Sequence, residues 1–520
     1  MVGTAISGGV HGIDAFLVRV ECDISDGFPG FDLVGSLAPE VREAKERVIT
    51  ALKNCNVSMP NKKITVNLSP ANIKKHGTGY DLPLAVSLLI AMGIIDKSKA
   101  ENTLLLGELL LSGEIGGVRG VLPIVKVARD FGVKTCIVPR KNAKEAAVID
   151  DLKIVSVGSM TEIIGLLGGK GTLGNEVLQR RKEEGDEQFA ELRDGNAGNF
   201  GGRKRCDFAD IAGQKVAKRG LEIGAAGLHN ILMVGPPGTG KTMLAKSLPG
   251  ILPPMSKDEM LEVSSIYSVA GMLPTDGSLI VNRPVVEAHH TATEIALSGG
   301  GSIPRPGMIS LAHRGVLFLD EMPEFSKRVL EVLRQPIEDK VVHLARNGYS
   351  IAYPADFMLV GALNPCPCGM YPDMNKCTCT ENMRKRYLAK LSKPLVDRMD
   401  LCLQVLRPNS NEILSDTEEE SSGKVRERVI RAQEIQQERY KGLGIFFNSQ
   451  MGVKEIEKYC ELGRDEKSFM EKAISKYDLS ARAFHRILRS ARTIADLDES
   501  EKLNVKHLTE ALFFKSEVLN

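Results

Sequence analysis

The clearest chemistry in the chain lies in Gly235-Pro-Pro-Gly-Thr-Gly-Lys-Thr242. Glycines let backbone N–H groups turn inward around a phosphate chain. Lys241 can reach the β- and γ-phosphates of a nucleotide, and Thr242 offers a hydroxyl to Mg²⁺. Such a loop needs a strand before it and a helix after it. Ile231-Leu-Met-Val234 reads as a buried parallel strand, and residues 243–248 read as a helix whose N-terminus adds partial positive charge. Gly235, Pro236, Pro237, Gly238, Thr239, Gly240, Lys241 and Thr242 are therefore assigned to ATP binding. The competing reading, a glycine-rich turn with a chance lysine, does not explain the strand and helix on either side.

A second acidic site should complete the first. Val316-Leu-Phe-Leu319 is wholly apolar, and Asp320-Glu321 follows at the end where open α/β sheets bind ligands. Asp320 can hold the metal's water shell, and Glu321 can orient or deprotonate the attacking water. Residues 357–362 form a third apolar strand ending in Asn364-Pro365. Asn364 can reach a γ-phosphate or start an Asn-Pro turn, and the residues alone leave both readings open. Cys366-Pro-Cys368 and Cys377-Thr-Cys379 follow. Four thiolates can close a tetrahedral Zn²⁺ site with no open position, which makes the metal structural. Reduced cysteines in a polar loop are the alternative.

These residues need elements to hold them. Residues 1–170 read as one α/β unit, with strands at 17–22, 63–68 and 135–138 and helices at 41–55, 82–95 and 118–131. Residues 171–205 are rich in Glu, Arg, Lys and Gly and read as a linker. An apolar pattern returns over 206–407, and a polar stretch at 409–424 leads into helices within 408–520. Residues 341–351 read strand, Asn347-Gly348, strand, the favoured two-residue hairpin signal.

Composition excludes more than it selects. A chain of 520 residues, 43% hydrophobic and 26% charged, is an ordinary globular protein of about three domains. Net charge is +2, so any polyanion surface must be local. Trp is absent and aromatics are 5%, which argues against a large stacking platform for single-stranded bases. No apolar run approaches the ~18–20 residues of a membrane span. No signal peptide is evident, so a cytoplasmic protein with free or metal-bound thiols is expected.

The sequence resembles the magnesium-chelatase-like AAA+ family, in its YifB/ComM branch. The resemblance runs through Gly27-Phe-Pro-Gly-Phe-Asp-Leu-Val-Gly35, Ile64-Thr-Val-Asn-Leu-Ser-Pro-Ala71, Gly299-Gly-Gly-Ser-Ile-Pro-Arg-Pro-Gly307, Asn364-Pro-Cys-Pro-Cys-Gly369, Pro394-Leu-Val-Asp-Arg-Met-Asp400 and Arg486-Ile-Leu-Arg489. It implies an α/β fold: an AAA+ P-loop NTPase core, a Lon-protease-like α/β domain before it and a helical lid after it. It implies that Asn364 is a sensor beside the γ-phosphate. It implies that Arg398 is an arginine finger completing a neighbouring subunit's site in a hexameric ring. Arg482 is implied as a second sensor on the lid, with a surface salt bridge as the competing reading because Arg486 and Arg489 share a nearby helical face. Arg305 in the family's loop and Arg346 in the hairpin are candidates for contact with a threaded strand's phosphates, each with an ordinary surface arginine as its alternative.

Two departures matter. Relatives carry Arg-Pro-Phe-Arg-Ala-Pro-His-His where this chain has Arg283-Pro-Val-Val-Glu-Ala-His-His290, so the second arginine is Val286. The run 113–139 resembles a Lon-type proteolytic domain, but the serine's place falls at Gly79 and the lysine's at Arg119, whose guanidinium is no base. No peptidase activity is expected, and the domain is read as a partner-binding or assembly module. Lys74, Lys75 and His76 read as a solvated turn. The leading expectation is a DNA translocase or helicase driving branch migration during recombination. The rival is a chelatase-like or chaperone-like remodeller of a protein partner.

Overall fold

The computed structural model describes residues 2–168, 177–179, 206–274, 278–301, 303–346, 349–407 and 419–516. Of the predicted linker at 171–205, Val177–Gln179 is described and pairs antiparallel with Lys153–Val157 at the end of the first sheet, so this part of the linker is a strand. The rest of it, the Asn347-Gly348 turn and most of the polar stretch at 409–424 lie outside the described residues. Contacts divide the chain into two units.

The first unit comprises Met1–Leu192, Lys257–Ile280 and Pro304–Pro306. Its centre is an eight-stranded mixed sheet. Gly3–His11 and Asp14–Ser25 form an antiparallel hairpin that turns at Gly12, where φ is 70°. Asp14–Ser25 also pairs with Lys63–Ser69, while Thr103–Leu105, Thr135–Pro139 and Lys153–Val157 extend the other side in parallel. The helix Asp81–Ala91 has no polar face, and residues 81 to 90 are all buried against the sheet. Asp81 survives there because Arg47 donates to both its oxygens at 2.7 and 2.9 Å. Burial still raises its carboxyl above the usual range, against the pull of Arg47.

A later stretch of chain joins this unit. The helix Lys257–Ala270 buries Met260, Val263 and Ile266. Its Ser268 hydroxyl donates to the buried Glu145 carboxylate at 2.5 Å, and Lys257 pairs with Asp150 at 2.7 Å. Lys75 corrects the solvated-turn expectation in part: it is wholly buried and its ammonium donates to Pro70 O.

The second unit, Arg193–Ser256, Val281–Ile303 and Gly307–Asn520, is built on a five-stranded sheet. Its order is Val285–Ala288, Val316–Leu319, Met358–Leu363, Ile231–Val234, Leu401–Gln404, and every neighbouring pair is parallel. Central strands of a parallel sheet are covered on both faces, which is why they read as unbroken apolar runs. The C-terminal helices Ser422–Arg439, Val453–Tyr459, Arg464–Tyr477, Ala481–Leu497 and Val505–Ser516 follow. Ala481–Leu497 starts at Ser480, whose hydroxyl accepts from Ala483 N at 3.2 Å. It buries Ile487, Leu488, Ala491, Ile494 and Ala495, one apolar stripe at helical spacing. That stripe shares a single core with Ile231, Met233 and Leu401 of the sheet.

Among the described residues no helix is long and apolar enough to cross a membrane.

Candidate active site

Parallel register delivers the chemistry to one edge of the second sheet. Ile231–Val234, Val316–Leu319 and Met358–Leu363 end side by side, so the loop at 235–240, Asp320-Glu321 and Asn364 all emerge together. Gly238 and Gly240 have φ of 75° and 93°, left-handed conformations that glycine adopts without strain. A Cβ at Gly235 would lie 2.1 Å from Val405 O, so the loop's first residue has no room for a side chain.

Lys241 opens the helix Lys241–Ser247 and is 9% exposed. Its ammonium donates to Gly235 O at 2.6 Å, Pro236 O at 2.8 Å and Asn364 Oδ1 at 3.1 Å. Burial lowers its pKa, although Asp320 and Glu321 pull the other way. The Thr242 hydroxyl donates to Asp320 Oδ2 at 2.7 Å, while Asp320 Oδ1 accepts from Glu321 N at 2.9 Å. A hydroxyl and a carboxylate in contact form a hard-oxygen donor set that suits Mg²⁺. Glu321 is half-exposed and has φ of 51°.

One neighbour was missed in sequence. His290 Nδ1 lies 3.8 Å from Glu321 Oε2, and its ring centroid lies 4.1 Å from that of His289, the two rings tilted by 34°. Val285–Ala288 runs parallel to Val316–Leu319, with Ala288 opposite Leu319, and this register brings residue 290 to the acidic pair. The double histidine after a short apolar strand was the available signal; its partner was not readable.

The four cysteines converge. Sγ of Cys366 lies 3.4 Å from that of Cys368 and 3.8 Å from that of Cys377, with 3.7 Å between Cys368 and Cys377. The four sulfurs, Cys379 included, lie within 4.8 Å of one another. Tetrahedral zinc with Zn–S bonds of about 2.3 Å holds its sulfurs about 3.8 Å apart, so the thiols fit that ion. A hydrogen bond from Met370 N–H, chiefly, brings the Cys368 thiol down to about 6. The cluster abuts the phosphate loop: a Cβ at Gly369 would stand 2.5 Å from Pro237 Cδ.

Arg398 and Arg482 are not brought to this edge. Leu401–Gln404 runs parallel to Ile231–Val234, with Leu401 opposite Ile231. Arg398, three residues earlier, therefore stands at the sheet's opposite edge, and a four-residue strand spans roughly 13 Å. Its guanidinium donates to Pro394 O and pairs with Glu338 at 2.5 Å. Arg482 is exposed and lines a cleft of about 640 Å³ with Arg314, Asp400, His485, Arg486 and Arg489. Arg283 is buried and donates to Pro253 O and Arg314 O, so it braces the fold. Arg305 is exposed on the two-residue strand Arg305–Pro306; the side chain of Arg346 lies outside the described residues. In the first unit, Gly79 lies against Val118, 3.7 Å from its place for a Cβ, so the positions 79 and 118–119 adjoin.

A five-stranded parallel sheet carrying a phosphate loop, an acidic pair and a polar strand end together defines an AAA+-like P-loop ATPase. Three family models match in series: magnesium chelatase subunit ChlI over residues 207–413, subunit ChlI of Mg-chelatase over 20–142 and the ChlI C-terminal model over 419–515. The chain is 41% identical to the competence protein ComM of Haemophilus influenzae over 510 residues, 98% of this chain and 96% of that protein. It is also 41% identical to the uncharacterized protein YifB of Salmonella typhimurium, over 97% of this chain and 95% of the relative. The magnesium-chelatase 38 kDa subunit of Rhodobacter capsulatus is 28% identical over 39% of this chain and 57% of that subunit. The chain belongs to the ComM/YifB branch of the magnesium-chelatase-like family and is an AAA+-like ATPase of the ChlI/ComM type. Members of this family generally use ATP and Mg²⁺ and work as oligomers.

Proposed function

We propose that the chain is one subunit of a hexameric ring that couples ATP hydrolysis to movement along DNA, acting in branch migration during recombination or transformation in the cytoplasm. The observation that carries this reading is similarity across 98% of the chain to a competence protein, well beyond the phosphate loop alone.

Residues 235–240 cradle the phosphates through backbone amides, and Lys241 neutralises their charge. Thr242 and Asp320 would hold Mg²⁺, which would supply positive charge against the phosphates. Glu321 orients the attacking water and takes its proton. Asn364, in contact with Lys241 at 3.1 Å, senses the γ-phosphate. Arg398 and Arg482 act on the nucleotide of a neighbouring subunit, because each stands away from this chain's own phosphate loop. A guanidinium there stabilises charge that develops during phosphoryl transfer. The Cys366, Cys368, Cys377 and Cys379 thiolates bind Zn²⁺ as a structural pin beside the loop.

The division we propose is an N-terminal domain at 1–170, a linker at 171–205, the ATPase core at 206–407 and a helical lid at 408–520. The N-terminal domain takes the Lon-type proteolytic fold without peptidase activity. Its adjoining positions hold Gly79 and Arg119, which supply neither nucleophile nor base. Arg305 and Arg346 contact the phosphates of a threaded strand in this reading.

A second reading, a remodeller of a protein partner docked on the N-terminal domain, is favoured by the similarity to a magnesium-chelatase subunit. The test is steady-state ATP turnover with and without single-stranded, duplex and forked DNA at two salt concentrations, with Glu321→Gln as the blank. Stimulation by DNA that is absent in the blank and weakens with salt supports the motor on DNA. Turnover indifferent to every DNA rejects it in favour of the protein partner.

A further inference from the structure

We propose that Lys515 and Arg486 are positioning residues that set the turn carrying Arg398, so that the C-terminal helices aim the finger at the neighbouring subunit. The inference rests on the reading of Arg398 given above and goes beyond it by naming what holds the finger.

Three consecutive residues ahead of Leu401–Gln404 are clamped from three separate elements. The carbonyl of Arg398 accepts from Arg486 Nη1 at 2.8 Å and from Asn230 Nδ2 at 3.1 Å. The carbonyl of Met399 accepts from Lys515 Nζ at 2.6 Å. The carboxylate of Asp400 accepts from Arg486 Nη1 at 2.6 Å and from Asn230 N at 2.9 Å. Arg486 belongs to Ala481–Leu497, Lys515 to Val505–Ser516, and Asn230 directly precedes the phosphate-loop strand. The cradle therefore ties the Arg398 turn to the loop strand on one side and to two C-terminal helices on the other.

Lys515 is the informative member. It is 5% exposed, on a helix whose Leu508, Ala511 and Phe514 join the apolar core. A buried ammonium is costly, and a methionine of similar length would fill the same space without that cost. What the lysine adds is a bond to a backbone carbonyl one residue from the finger. A finger works only when its guanidinium meets the transferring phosphoryl group, and a displacement of about 1 Å can cost about 10²-fold in rate. Loss of the clamp should therefore appear in kcat and spare nucleotide binding, because the phosphate loop of the same chain is untouched.

Full-length Lys515→Met, Lys515→Arg and Arg398→Ala are assayed for ATP turnover alone and mixed with Glu321→Gln. Glu321→Gln subunits hydrolyse nothing themselves but present an intact Arg398 to their neighbours. Lys515→Met alone is expected to lose kcat by roughly 10- to 100-fold with KM for ATP unchanged. Lys515→Arg is expected to retain most of the rate. Mixing with Glu321→Gln is expected to restore turnover to the Lys515→Met and Arg398→Ala chains alike. Wild-type turnover by Lys515→Met overturns the proposal, and so does a defect that persists in the mixture while Arg398→Ala is rescued. If Arg398→Ala is not rescued either, the reading of Arg398 fails and the inference goes with it. Should Lys515→Met not melt cooperatively, Arg486→Lys enters the same mixtures and is decided by the same outcomes.

Discussion

The ammonium of Lys241 has three oxygen partners, two loop carbonyls and Asn364. Its assignment needed only the eight-residue motif, because strand, glycine loop and helix are contiguous in sequence. Asn364 is different: its contact with Lys241 spans 123 residues. Asp400 entered the sequence reading only as the last residue of the run 394–400, with no role. Burial alone would raise its carboxyl, but Arg486, His229 and the Asn230 N–H outweigh burial and hold it well below the usual range. An acid whose folded pKa is depressed adds stability above its unfolded value, about 3.9, and loses it as pH falls toward the folded value. Asp400→Asn should therefore lower Tm at pH 7, with the gap to wild type narrowing at each step below about pH 4. Thermal melts across pH check this, and a gap that does not change with pH counts against it.

The apolar parallel strands and the helix Ala481–Leu497 were readable because burial on both faces, or on one stripe, leaves a strong local pattern. Gly3–His11 was not. Three of its nine residues are glycine, and it is a strand only because Asp14–Ser25 pairs with it along its length. The helix Lys257–Ala270 has a weak sequence signature for the same reason: its Ser264, Ser265 and Ser268 are buried by packing in the first unit. The two Cys-x-Cys pairs were legible as a candidate Zn²⁺ site, but the eight intervening residues do not by themselves dictate that the pairs fold back together, which the structure shows they do. If they hold Zn²⁺, the purified protein carries the metal in proportion to chain, and Cys377→Ser with Cys379→Ser abolishes it and lowers Tm. Elemental analysis beside a melting curve measures both, and metal-free wild-type protein with an unchanged Tm rules the pin out.

The chain as a whole carries its phosphate loop and Arg398 on opposite edges of one sheet. On the proposed reading of Arg398 as a finger, a lone subunit lacks the guanidinium its own nucleotide would need. Turnover per chain should rise with protein concentration as rings assemble, by up to the ~10³- to 10⁵-fold that an arginine finger contributes. Activity set against oligomer mass over a dilution series tests this, and constant turnover into the monomer range is incompatible with a shared site. Contacts also draw Lys257–Ile280 and Pro304–Pro306 into the first unit, although both lie between the phosphate loop and Asp320 in sequence.

Local order was enough to reveal the nucleotide chemistry, because a phosphate loop, an acidic strand end and an amphipathic helix each owe their pattern to neighbours within a few residues. Partnership across the chain was not written there. Parallel register puts His290 beside Glu321, converging helices put Lys515 under Met399, and strand direction sends Arg398 away from Lys241. Each of these depends on which distant segments share a core, and a buried charge reveals its purpose only when the groups packed around it are known.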